Sequence, residues 1–114
     1  MADRSKKILT NLAAGTTDTT DLAPIANGKT LVLTKFGGAD INLGDNKSSA
    51  YLLQWGVVGS FIEVAAIALT GNTFEHQLSE PLTGNGAKFL RITRQNNSAS
   101  LKRCPVWVKG YDNT

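Results

Sequence analysis

Short apolar strands alternate with glycine- and asparagine-centred turns along this chain, and no long stretch carries the three-to-four spacing of an amphipathic helix. That punctuation restricts the fold more than any motif. Strand-like runs cover Ser5–Ala13, Thr16–Leu22, Thr30–Phe36, Ala50–Trp55, Phe61–Leu69, Thr73–Leu78, Lys88–Gln95 and Leu101–Tyr111. Breaks fall at Ala14-Gly15, Asn27-Gly28, Gly37-Gly38, Gly71-Asn72, Gly84-Asn85-Gly86 and Asn96-Asn97-Ser98, where residues that tolerate turn geometry cluster. About eight strands with no βαβ rhythm predict an all-β fold, a single-domain antiparallel β-sandwich. The uneven loops favour a jelly-roll-like arrangement over an up-and-down barrel.

Individual segments sharpen this expectation. Thr16–Leu22 is rich in Thr and Asp, which suits an edge strand or an exposed face. Phe61–Leu69 is the most apolar run, and its β-branched residues and flanking glycines predict a buried strand. Pro81 with Gly84-Asn85-Gly86 predicts a loop, and Pro105 a bulge or edge position. In Leu101–Tyr111, Val106 and Val108 fall on one face, Trp107 and Tyr111 on the other. Residues 1–114 read as one domain, with Met1–Lys7 a flexible, polar N-terminal arm.

Reactive residues are scarce. One histidine, His76, and one cysteine, Cys104, leave no disulfide framework, no zinc cluster and a single unsupported Cys–His pairing. Cys104 sits in an apolar pattern and reads as a buried, inert thiol. Glu63 interrupts the most apolar run and reads as exposed or paired with a base such as Arg91. Asp40, Asn42 and Asn46 place oxygens at spacings like those of an EF-hand loop. Gly44 and Asp45 are exchanged relative to that pattern, and Tyr51 stands where a bidentate carboxylate is needed. No metal, cofactor or catalytic residue is implied. No apolar stretch approaches the ~20 residues that span a bilayer, and no secretory leader pattern opens the chain. The expectation is synthesis in a cytoplasm without membrane attachment.

Charge is divided unevenly. Pro81–Tyr111 holds six basic residues and no acid, whereas the rest holds six basic and nine acidic residues. Such a field attracts nucleic acid, acidic glycans or an acidic protein, unless the acids of the first half take up the bases. If Lys88–Gln95 and Leu101–Tyr111 pair as a hairpin, Arg91, Arg94, Lys102 and Arg103 lie on neighbouring strands beside Trp107 and Tyr111. A basic sheet with stacking rings is how single nucleic-acid strands are held. These six residues are the candidate binding set. Exposed Trp55, Trp107 or Tyr rings would alternatively suit sugar faces.

Three segments recur in a familiar order: Ala26-Asn27-Gly28-Lys29-Thr30-Leu31-Val32-Leu33, Pro81-Leu82-Thr83-Gly84-Asn85-Gly86-Ala87-Lys88-Phe89-Leu90-Arg91-Ile92 and Val106-Trp107-Val108-Lys109-Gly110-Tyr111. Together the pattern resembles small β-sandwich proteins of tailed-phage virions, such as head decoration and tail or neck accessory proteins. The resemblance implies a jelly-roll-like subunit assembled in symmetric copies on a capsid or tail, and it carries no catalytic residues. The leading expectation is a non-enzymatic structural protein. It would form a homo-oligomer, trimer or higher, and dock on virion proteins, with a virion location if phage-encoded. A module for carbohydrate or another ligand comes second, a single-stranded nucleic-acid binder third, and an enzyme last.

Overall fold

Alternate residues of the central strands point to opposite faces, and burial follows that period. In the computed structural model, which describes residues 2–39, 49–69, 73–97 and 101–113, eleven strands form and no helix does. They are β1 (Ala2–Asp3), β2 (Lys6–Ile8), β3 (Asn11–Leu12), β4 (Thr17–Asp21), β5 (Thr30–Ala39), β6 (Ser49–Gly56), β7 (Ile62–Leu69), β8 (Thr73–Thr83), β9 (Phe89–Asn96), β10 (Lys102–Arg103) and β11 (Val106–Asn113). Three are two-residue ladders, which leaves eight principal strands.

Every pairing is antiparallel. The first sheet runs β2-β11-β5-β8, with β1 also on β11, and the second runs β4-β9-β6-β7. Four consecutive principal strands wrap onto the next four in this order, which is the double-sheet jelly roll. Leu31, Leu33 and Phe36 of β5 and Val106 and Val108 of β11 meet Tyr51, Leu53 and Trp55 of β6 and Leu90 and Ile92 of β9 between the sheets. β4 lies at an edge, as its Thr/Asp composition predicts.

Four expectations need correction. The N-terminal residues are not a free arm. Ala2 pairs with Asp112 and Lys6 with Val108 in one continuous register, so Ala2–Ile8 is an interrupted edge strand on β11. Arg4 fixes the interruption, with its Nε and Nη2 3.1 and 2.7 Å from Asp112 Oδ2. Gly37-Gly38 does not end β5. Both glycines are extended, and they supply space: a Cβ at Gly38 would come within 2.9 Å of the Tyr51 ring. Pro81 lies inside β8, an edge strand, where its missing N–H costs no ladder bond on the open side. Finally, β7 is an edge strand rather than a buried one, with Ile62 57% exposed. Its apolar composition gave the right secondary structure and the wrong position, because periodicity alone does not separate a core strand from an apolar edge. The turn expected at Gly71-Asn72 and the EF-hand-like segment Asp40–Asn46 lie outside the described residues.

The end of the sandwich beneath the β3–β10 ladder is closed by buried polar groups. Arg94, 2% exposed, donates from Nε to Asp18 (2.9 Å), from Nη1 to the carbonyls of Thr10 (2.6 Å) and Cys104 (3.3 Å), and from Nη2 to Thr10 Oγ1 (2.7 Å). Asn96 Nδ2 donates to the Leu12 carbonyl at 2.9 Å. Arg94 therefore ties the segments leaving β2 and entering β11 to the second sheet. Arg94→Met keeps the length of the side chain but strips these carbonyls of their donor. The expected cost is about 3 kcal/mol, read as a lower urea midpoint with unchanged slope. A loss below about 0.5 kcal/mol, typical of a surface substitution, would contradict the clamp.

Candidate functional site

The residues grouped by the basic, aromatic C-terminal third do not converge. β9 pairs with β4 and β6, whereas β11 pairs with β1, β2 and β5 in the opposite sheet. The hairpin expected between Lys88–Gln95 and Leu101–Tyr111 is therefore absent. Arg94 points inward and is consumed by the clamp. Arg91 lies on the outer face of the second sheet, where Nε and Nη2 bond the two carboxylate oxygens of Asp21 at 2.7 and 2.9 Å. Its guanidinium sits 4.6 Å from the Phe61 ring centre, and Phe61 meets Phe89 edge-on. The Asp21 hydrogen bond raises the pKa of Arg91 above its ordinary value, against a smaller lowering by desolvation. First-half acids thus take up both arginines. Lys102 and Arg103 form β10 opposite Leu12 and Asn11; Arg103 is exposed, and the Lys102 side chain lies outside the description. Trp107 and Tyr111 share the outer face of β11, half-buried.

The possible catalytic partners are equally separated by environment. Cys104 is fully buried, with Sγ 3.5 Å from Ser49 Oγ, while His76 is exposed on β8 against the Phe74 ring. Glu63 is exposed, one of the two alternatives expected for it. Of the rings considered for sugar binding, Trp55 and Tyr51 are core residues.

What the fold does assemble is a site around Trp107. Across the outer face of the first sheet, register places Lys7, Trp107, Gly37 and Glu75 in one row. The next row holds Lys109, Lys35 and Gln77. Gly37 has no Cβ, and one built there would run into the indole. The ring therefore lies down over the Gly37 backbone, and Nε1 donates to Glu75 Oε2 at 2.7 Å. Lys35 Nζ sits 3.8 Å from the other Glu75 oxygen. A hollow of about 500 Å³ opens beside the ring, lined by Ser5, Lys6, Lys7, Leu9, Trp107 and Lys109 among others. Ser5 Oγ (2.7 Å) and Ser5 N (3.0 Å) donate to Asp3 and hold its carboxyl below the usual range. Sequence reading found Trp107 but not its setting. The signal is Gly37, whose composition predicts a turn and whose missing Cβ makes the seat.

A second surface lies on the other sheet. Ala50, Leu52, Ala66, Thr93 and Gln95 floor a shallow hollow of about 470 Å³. It runs to β7, whose outer side pairs with nothing among the described residues.

No protein-family model matches this chain, and no curated protein does. Among solved structures it is similar to PirA, with a TM-score of 0.55 and 15% identity over 95% of both chains. It is also similar to a family 16 carbohydrate-binding module (TM-score 0.46, 10% identity, 91% of this chain and 74% of that one) and to the Drosophila NLP core (0.43, 12%, 96% and 99%). At these identities the PirA likeness shows a shared fold.

Gly37→Ala tests the seat under the indole. The added methyl must lift the ring, at a cost of about 1–3 kcal/mol. The Trp107 indole N–H signal in a proton–nitrogen NMR spectrum should move as its bond to Glu75 breaks. An unshifted signal would mean the ring does not rest on Gly37.

Proposed function

We propose that this chain is a non-enzymatic structural subunit that acts by docking on copies of itself and on a larger particle, as a head decoration or tail or neck accessory protein of a tailed phage does. The open β7 edge carries this reading. It is eight residues long, with Glu63 as its one charged residue. Edges like this template pairing with another chain, and proteins that stay monomeric blunt them with lysine, proline or a cover. The opposite edge of the same sheet, β4, is also unpaired on its outer side among the described residues. Its Asp18 and Asp21 are neutralised by Arg94 and Arg91, so they offer little repulsion to an incoming strand.

Pairing β7 of one copy with β4 of the next is a head-to-tail contact between different surfaces. Such contacts close into rings when the rotation allows, which supports a trimer or larger ring over a dimer. The shallow hollow on Ala66 and Leu52 widens the contact with small apolar groups. The placement of His76 and Cys104 in unlike environments supports a role without covalent chemistry. The tailed-phage context rests on the resemblance of the three recurring segments and on this self-assembling edge.

Light scattering on size-exclusion fractions tests the reading. The wild-type chain should have the mass of three or more copies. Ile62→Lys with Ala66→Lys, both at exposed positions, should give a folded monomer, because two charges per copy must then be buried unpaired. A wild-type monomer would overturn the proposal, and a stable dimer would replace the ring with a twofold contact.

A further inference from the structure

The outer face of the first sheet carries a feature that the assembly reading does not use. Trp107 is held flat, with one face against Gly37 and its single donor committed to Glu75. What it offers a ligand is the remaining ring face and nothing else. Around it, Lys6, Lys7 and Lys109 line the hollow, and none has an ion-pair partner among the described residues. Lys35 differs, being drawn to Glu75. The open face of this half-buried ring gains by being covered, and the ammonium groups at its edge repel one another until an anion joins them.

From this geometry we infer that the Trp107 hollow binds an acidic saccharide: a sugar ring stacked on the indole, its carboxylate or sulfate held by Lys7 and Lys109. The axial C–H face of a pyranose is apolar and flat enough to cover an indole, while its hydroxyls radiate in the ring plane. Glu75 stands at that plane. Its oxygens keep lone pairs beyond those taken by Nε1–H and Lys35, so they accept from sugar hydroxyls. The lysines supply point charges that suit an anion without demanding one bidentate geometry.

A single nucleic-acid strand fits less well. Single-strand binders extend a basic groove along the backbone and stack successive bases on successive rings. Here a single ring faces a hollow of about 500 Å³, with no second ring among the described residues of its lining on which a following base could stack. Arg91 and Arg94, the strongest phosphate ligands of the basic third, belong to the other sheet and are already paired. The saccharide site lies on the first sheet and the proposed docking edges on the second, so each can fail alone.

The test is calorimetric titration of the full chain with trigalacturonate, a hyaluronan hexasaccharide and a heparin-derived tetrasaccharide. The methyl-esterified trigalacturonate serves as the neutral control and a ten-residue oligothymidylate as the nucleic-acid control. At least one acidic oligosaccharide should bind saturably, and tryptophan emission should change with it through Trp107, since Trp55 is buried in the core and contributes a constant background. Trp107→Ala should abolish binding. Lys7→Gln with Lys109→Gln, both exposed, should weaken it about tenfold or more and remove most of its salt dependence. Light scattering on the same double variant should give the wild-type mass, which separates this site from assembly. Binding of none of the three acidic probes would overturn the inference. So would binding that survives both variants, or oligothymidylate binding tighter than every saccharide.

Discussion

The sandwich is held closed at one end by a buried guanidinium. Arg94 enters from β9 of the second sheet and donates to Thr10 and Cys104, which flank the strands of the first sheet. A buried charge is tolerable when it is paired and well bonded, and here a carboxylate, two carbonyls and a hydroxyl accept four of the five guanidinium hydrogens. Asn96 and Ser49 complete the same polar cluster, and among the described residues no buried side-chain nitrogen or oxygen lacks a partner. With that end fixed, β11 is committed to the first sheet and β9 to the second. Everything on their outer faces follows from that assignment.

The consequence for function is a division of labour between two faces. The basic third of the chain does not form one basic surface. Its arginines stay in the second sheet, inward at Arg94 and clamped to Asp21 at Arg91. Its Trp107 and Lys109 emerge on the first sheet beside Lys7, brought there by the N-terminal edge strand. The second sheet is left with an apolar edge at β7 and a shallow floor of small residues. Under the two proposals, the second sheet docks a protein partner and the first holds a compact anionic ligand. A subunit with both could join an assembly and still present a binding surface outward.

Much of the architecture was legible in the residues. The strand-like runs Thr30–Phe36, Ala50–Trp55 and Lys88–Gln95 correspond to β5, β6 and β9, each with a buried face, and the expected two-sheet fold follows from them. The Thr/Asp segment at β4 was recognisable as an edge. What escaped was tertiary in origin. Gly37-Gly38 carries the composition of a turn, yet its role is to admit Trp107 and Tyr51, a need visible only when their strands are placed. The apolarity of β7 marks a strand, but composition alone does not separate a core strand from an open edge. The basic and aromatic residues of the last third separate onto two sheets because proximity in the chain is not proximity in space. In a jelly roll, neighbouring strands in sequence commonly belong to opposite sheets.

Cross-strand proton contacts in a solution NMR spectrum of the full chain test the central placement most directly, because antiparallel neighbours bring α-protons close in one kind of pair and amide protons close in the other. The account predicts contacts from Thr93 to Leu52 and Thr19, and from Trp107 to Gly37 and Lys7. Contacts linking residues 88–95 to residues 101–111 as a hairpin would contradict it, since they would return the arginines and Trp107 to a single surface.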